Sequence, residues 1–327
     1  MADAGRTRQD AESWFVGHGL PYFVDHLRHD VRRRLSRGRL TLVGALSVLV
    51  GVGVGVLLGL SGATGAPLAG VSAALLVCSA YALRALKVWM IARWAIRRTL
   101  GSLGLLVPLA TRALPMLLLF MTFLFINTEV WQVASSLDGA VLGGAVLVFA
   151  VVAVGFLLGR LGEELDQFDD DITPTDVREH CQDTPFGDAE IEVAAQREDL
   201  AAAAQVTGLQ KANLVLMLLV AQAVQVLLLV LAVFAFFVVF GAVAIDAQVI
   251  ESWIGTPPTY LFGARPMSRE LLQVATFLSA FSGLYFTVYA VTDSTYRQQF
   301  FTAIMRELGQ VVSARVVYRS LIDRRDD

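Results

Sequence analysis

The chain has 327 residues, of which 56% are hydrophobic and 17% charged, against about 25% charged in a soluble domain. Its mean hydropathy is +0.61. These values exclude a disordered chain, a fibrous chain and an ordinary water-soluble enzyme. Its apolar runs exceed the length of core helices, so the chain is expected to sit in a bilayer.

Residues 1–39 form a basic segment. An aromatic stretch, WFVGHGLPYFV (14–24), leads into RHDVRRRLSRGR (28–39). Such a segment reads first as a topology signal and second as an anchor lying along anionic lipid. Its charge sits against the membrane, so nucleic acid is not an expected partner. His26 and His29 are three apart, flanked by Asp25 and Asp30. They lack a further ligand at a convincing spacing and read as surface residues.

Residues 40–159 carry four expected spans, at 40–60, 66–83, 113–134 and 139–159. Each supplies the roughly 18–20 apolar-dominated residues that about 30 Å of hydrocarbon demands. In the first, Ser47, Gly51, Gly55 and Gly59 recur every four residues, a spacing that lets helix backbones approach closely. Gly139, Gly143, Gly155 and Gly159 repeat the idea in the fourth. The segment 99–111, with its glycines and Pro108, is expected to be interfacial or re-entrant. The third span ends in FLFINTEVWQ (123–132), where Trp131 fits an aromatic belt. Glu129 reads as an interfacial carboxylate or the partner of Arg265 or Arg269, ahead of an acidic pore mouth.

Residues 160–211 form an acidic loop with 14 carboxylates against four cations. Its segment 188–205 is Ala-rich with early acids and predicts a helix. Asp169, Asp170, Asp171 and Asp176 resemble a divalent-cation site in composition, without the glycine and terminal glutamate of an EF-hand loop. A solvated acidic surface is the preferred reading, and no cofactor is expected. Cys78 and Cys181 fit neither a disulfide framework nor a metal-ligand spacing.

Residues 212–292 hold the fifth and sixth spans, at 212–244 and 271–292. Gln222 and Gln225 lie in mid-span and should face protein or water. Ser279, Ser282, Phe286, Tyr289, Asp293 and Tyr296 share one face of the sixth helix. That stripe reads as interhelical packing first and as the wall of a polar path second. The tail, 293–327, is expected to extend the sixth helix. Phe301, Ile304, Leu308 and Val311 give it an apolar stripe that breaks at Arg315.

Positive charge gives the orientation. Of the 26 Lys and Arg residues, 24 fall in the N-terminal segment, the link between the second and third spans, the acidic loop and the tail. The other two, Arg265 and Arg269, fall between the fifth and sixth spans. Both termini are therefore expected in the cytoplasm.

No nucleotide-binding, nucleophile-elbow, kinase or zinc-protease motif occurs, so an enzyme is the least expected class. The stretches WFVGHGLPYFV, LPMLLLFMTFLFINTEVWQV (114–133), QKANLVLMLLVAQAVQVLLL (210–229) and FSGLYFTVYAVTDSTYRQQFF (281–301) resemble a family of actinobacterial multi-spanning membrane proteins. The resemblance implies a bacterial inner-membrane source and a multi-pass topology, and carries no activity or site residue.

The sequence thus predicts an all-α bundle of six transmembrane helices, with self-association and a protein partner at the cytoplasmic face expected. Its first functional reading is an ion channel or channel-like permease lined by the fifth and sixth spans. Its second is a non-transporting scaffold or sensor that recruits partners through the acidic loop and basic ends.

Overall fold

The computed structural model describes residues 2–62, 66–101, 118–137, 139–168, 173–181, 184–196, 200–261, 267–292 and 308–320. Among them the structure is helical, without a strand; one isolated antiparallel bridge joins Tyr260 and Ser268. In chain order the helices are α1 (Ala2–Gly17), α2 (Asp25–Arg34), α3 (Arg37–Leu60), α4 (Ala66–Ala85) and α5 (Val88–Gly101). There follow α6 (Leu118–Phe125), α7 (Thr128–Ser136), α8 (Gly139–Phe168), α9 (Pro174–His180) and α10 (Asp188–Ala195). The last are α11 (Leu200–Ala204), α12 (Leu209–Ala244), α13 (Ala247–Ile254), α14 (Arg269–Thr292) and α15 (308–320).

Four helices, α3, α8, α12 and α14, are long and apolar enough to cross a membrane. Two bent pairs raise the number to six if each is one span: α4 with α5, bent by 77°, and α6 with α7, bent by 76°. These helices support an integral, multi-pass membrane protein. At 1.5 Å per residue the 36-residue α12 is about 54 Å long, well beyond the hydrocarbon thickness.

The chain divides into two compact units. The first comprises Met1–Arg98, Leu161–Ala221 and Gln298–Asp327. Its α3 and α4 form a close hairpin through small residues. A methyl group at Gly51 would lie 2.8 Å from the Gly70 carbonyl oxygen, and one at Gly70 would lie 2.5 Å from the Gly51 oxygen. The Cys78 thiol reaches the Ser47 hydroxyl at 3.1 Å on the same seam. The rest of the hairpin presents Leu42, Leu49, Val52, Leu57 and Leu76 outward, as a lipid-facing surface should. The remaining core of this unit is drawn from distant segments: Phe15, Leu20 and Phe23 near the N-terminus, Val177, Cys181 and Ile191 from the acidic loop, and Val312, Val316 and Val317 from α15.

The second unit comprises Thr99–Arg160 and Gln222–Arg297. Phe125, Trp131, Phe237 and Leu271 are buried at its centre, with Phe125 stacked on Phe237 at 4.6 Å. Here α12 and α14 pack through Gly283, where a methyl group would lie 2.5 Å from a Val230 methyl carbon and 3.4 Å from one of Val226. Half of the α14 span is buried, against 6% of α8, so α14 is the central rod of this unit and α8 a peripheral one.

Several expectations need correction. The aromatic stretch 14–24 is a core element, because Phe15, Leu20, Tyr22 and Phe23 are at most 2% exposed. The expected third span is no single rod. Asn127 halts it, its side chain accepting from Val130 N–H as the cap of α7, and Trp131 Nε1–H donates to the Phe125 carbonyl at 2.6 Å. Trp131 is fully buried, so its apolar body is not free for a belt. Of the helix expected over 188–205, α10 and α11 are described, with a turn at Gln196, and 197–199 lie outside the described residues. The apolar span within α8 is Val141–Gly159, and the helix itself continues to Phe168. Arg315 does not end the tail's apolar face; it is buried and bonded, as described below. The segment 102–117, with most of the re-entrant stretch and Pro115, lies outside the described residues, as do 293–307.

Gly51→Leu should open the α3–α4 seam and cost about 1–3 kcal/mol of overpacking. Gly53→Leu, where nothing lies within 4 Å, should be neutral. Melting of the detergent-solubilised variants checks this, and equal melting points would contradict the seam.

Candidate functional site

Two polar arrangements come together, one in each unit. In the first unit the turn after α1 is clamped by Asn213, four residues into α12. Its Oδ1 accepts from Tyr22 N–H at 2.7 Å and its Nδ2 donates to the Gly19 carbonyl at 3.0 Å. The amide is wholly buried, and both of its ends are satisfied, as burial requires. The Tyr22 hydroxyl donates at 2.6 Å to the Leu86 carbonyl, at the bend between α4 and α5. At that bend Lys87 takes the left-handed conformation, φ +50°, and its ammonium pairs with Asp30 at 2.9 Å. The Tyr81 hydroxyl donates to the Arg34 carbonyl at 2.6 Å. These bonds tie the elbow to both the N-terminal turn and α2.

The α15 helix is held by polar bonds as well as by its valines. The Arg315 guanidinium donates to the Ala203 carbonyl and, at 3.0 Å, to Gln210 Oε1. The Tyr318 hydroxyl donates to Glu12 at 3.0 Å, and Arg8 pairs with the same carboxylate oxygen at 2.9 Å. His180 lies against Gly309, where a methyl group would approach the imidazole to 2.8 Å. The buried His180 Nδ1 and Ser313 Oγ find no hydrogen-bond partner among the described residues.

Electrostatics follow burial and pairing. Burial pushes the Tyr22 phenol up to about 12, and burial helped by Glu12 does the same for Tyr318. Burial also raises the Cys181 thiol to about 12, so it is not a nucleophile. The bidentate bond from Arg178, with a further bond from Gln196, lowers the Glu192 carboxyl to about 2.

The acidic candidates divide. Asp176 is the acid of a capping box; it accepts from Thr173 N–H at 2.8 Å and from the Thr173 hydroxyl at 2.6 Å, which lowers its carboxyl below the usual range. Asp169, Asp170 and Asp171 lie outside the described residues. Among the described residues no three His, Cys, Asp or Glu gather to hold a metal ion. Asp25 pairs with Arg28, and Asp30 with Arg34 and Lys87, beside exposed His26 and His29.

The second unit receives the polar residues of the spans. Ser279 and Ser282 are buried, and their hydroxyls donate to the carbonyls of Thr276 and Leu278 on the same helix, at 3.0 and 2.7 Å. Thr287, not singled out from sequence, does the same toward Gly283. Tyr289 is 37% exposed, so the stripe does not stay on one buried face. Gln222 shares the α12 face of Val226 and Val230, is 3% exposed, and leaves Oε1 without a partner among the described residues. Gln225 is half-buried. Glu129 is exposed in the first turn of α7. Arg269 N–H donates to the Thr259 carbonyl at 2.8 Å, beside Glu270, whose carboxylate accepts from Thr259 N–H. Arg265 and Asp293 lie outside the described residues. Ser47 and Gly51 are buried on the α3–α4 seam; Gly55 and Gly59 follow along it with wider gaps of 3.5 and 3.9 Å.

Sequence reasoning missed Asn213, Arg315, Tyr22 and Tyr318. The available signal was a strongly polar residue inside an apolar run, as in KANLVLM and SARVVY.

Asn213→Ala should strand the Tyr22 N–H and the Gly19 carbonyl, each worth about 1–3 kcal/mol when buried. A fall in the melting temperature larger than that of the exposed control Glu179→Ala checks it. Tyr318 supplies a pH test. Its folded-state pKa lies above the unfolded value, so its stabilisation is complete below pH 10 and is lost as pH rises toward 12. Over that window Tyr318→Phe should lose stability less steeply than the parent chain, as followed by helical circular dichroism.

Comparison of the chain with protein families, curated proteins and solved structures finds no match.

Proposed function

We propose that the chain is a six-span protein of the bacterial inner membrane, with both termini in the cytoplasm, that acts as a non-transporting scaffold or sensor. The observation that carries this reading is the shared core of the first unit. Phe15, Val177, Ile191 and Val317 pack in one cluster, which supports a reading with the N-terminal segment, the acidic loop and the tail on one side of the bilayer. Segments that leave and rejoin one core cross an even number of times. Crossings at α3, α4, the bent α6–α7 pair, α8, α12 and α14 satisfy that count. The arginine distribution assigns this side to the cytoplasm.

The working part in this reading is the cytoplasmic core of the first unit, where the N-terminal segment, the acidic loop and α15 meet. Its Glu179 and Asp188 are exposed and face partners, while the serines of α14 donate to their own backbone and hold the bundle. A second reading, a conduit lined by α12 and α14, is favoured by one residue. The Gln222 amide oxygen is buried without a partner among the described residues, and a hydrated path would satisfy it.

Cysteine accessibility in intact cells tests the topology. Ser61→Cys should be labelled by an impermeant thiol reagent, and Glu179→Cys and Arg319→Cys only after lysis. Labelling of Glu179→Cys from outside overturns the topology. Proteoliposomes should pass potassium, chloride and protons no faster than empty vesicles. A flux that Gln222→Leu abolishes would replace the scaffold with the conduit. Under the scaffold reading, Glu179→Lys with Asp188→Lys should remove a specific cross-linked partner in native membranes without altering melting.

A further inference from the structure

The α4–α5 elbow turns one helix through 77°, and α5 then has two dissimilar faces. Ile91 and Ala95 are fully buried in the first unit, and the half-buried Trp94 ring lies 3.1 Å from a methyl group built on Gly19. On the opposite face Trp89 is 72% exposed and Ile96 39% exposed, with Arg93 and Arg97 exposed beside them. The spacing 89, 93, 96, 97 keeps these four on one stripe. The helix VWMIARWAIRRTLG contains no acid. The neighbouring acid at the elbow, Asp30, is engaged by Arg34 and Lys87. Arg84, Arg37 and Arg39, at the adjoining ends of α4 and α3, are exposed as well.

We infer that α5 lies in the plane of the cytoplasmic leaflet and binds anionic phospholipid headgroups through Arg93 and Arg97, with Trp89 and Ile96 seated in the acyl boundary between them. A helix perpendicular to a crossing rod lies along the membrane surface. With one face against the cytoplasmic core, its other face meets the leaflet. Trp at the interface, an aliphatic neighbour and flanking arginines are the chemistry that headgroup depth selects. Positive charge with no counter-charge on the helix selects anionic over zwitterionic lipid. The bend is fixed from three directions, by Tyr22 on the Leu86 carbonyl, Tyr81 on the Arg34 carbonyl and Lys87 on Asp30, so the stripe is presented in a set orientation. The inference rests on α4 crossing the bilayer, as proposed above.

The test uses the full chain in nanodiscs of phosphatidylcholine with phosphatidylglycerol, in a Cys78→Ser background; the buried Cys181 stays. Bimane at Trp89→Cys or Ile96→Cys should be quenched by a nitroxide-bearing lipid and shielded from aqueous iodide, and bimane at Glu179→Cys should behave the opposite way. Quenching of Cys-substituted 89 and 96 by iodide alone overturns the inference, and shielding from both quenchers overturns it in favour of a protein contact. Native mass spectrometry then reads the preference for phosphatidylglycerol over phosphatidylcholine. It should fall about fivefold for each arginine removed in Arg93→Gln with Arg97→Gln, and be largely kept in the doubly Lys-substituted variant. An unchanged preference overturns the headgroup assignment. Labelling of Ser61→Cys from the side of Glu179 overturns the span reading and this inference together, whereas iodide quenching with Ser61 correctly placed overturns only this inference.

Discussion

Hydrocarbon offers no partner to a peptide N–H or C=O, and a helix is the one open-ended element that satisfies every such group within itself. The long rods α3, α8, α12 and α14 obey that constraint directly. The places where helices stop show its strength. Where the chain breaks at 126–127, the Asn127 side chain takes the Val130 N–H and the Trp131 indole takes the Phe125 carbonyl. The hydroxyls of Ser279, Ser282 and Thr287 turn back onto carbonyls of their own helix, which satisfies the hydroxyls themselves.

The first unit meets a different demand, holding segments that are remote in sequence. Apolar burial supplies most of the cohesion, at about 1.5–3 kcal/mol for a side chain such as Phe15, but it is non-directional and does not choose a register. Direction comes from a few buried polar groups with both ends satisfied: Asn213 on the 19–22 turn, Tyr22 on Leu86, Arg315 on Ala203 and Gln210. Each joins elements that no local propensity would bring together. The left-handed Lys87 belongs to the same scheme, since its ion pair with Asp30 gives the strained residue a reason to be lysine and not glycine.

The membrane rods were legible in the sequence because the bilayer imposes one rule of length and polarity on every crossing. The Gly51 seam was legible for a similar reason, as small residues at a four-residue spacing have few other uses in a span. What the sequence concealed were the elements that a local pattern cannot distinguish. WFVGHGLPYFV has the composition of an interfacial anchor and of a core turn alike; only the arrival of Asn213 and α15 decides between them. Arg315 looked like the end of an apolar face, because a guanidinium is buried only where a carbonyl and an amide oxygen, both distant in sequence, are waiting. Gln222 was marked as needing protein or water; sequence could not say that its Oε1 would lack a partner among the described residues.

The bond between Tyr318 and Glu12 spans 306 residues of chain. At about 5–20 residues per second, the ribosome needs roughly 15–60 s to travel between them. During all that time α1, already synthesised, has no α15 to cover Phe15. For that interval Phe15 lacks the edge contact of the Tyr318 ring that it has in the folded chain. Removal of α15 would therefore uncover a side chain about 300 residues away from it.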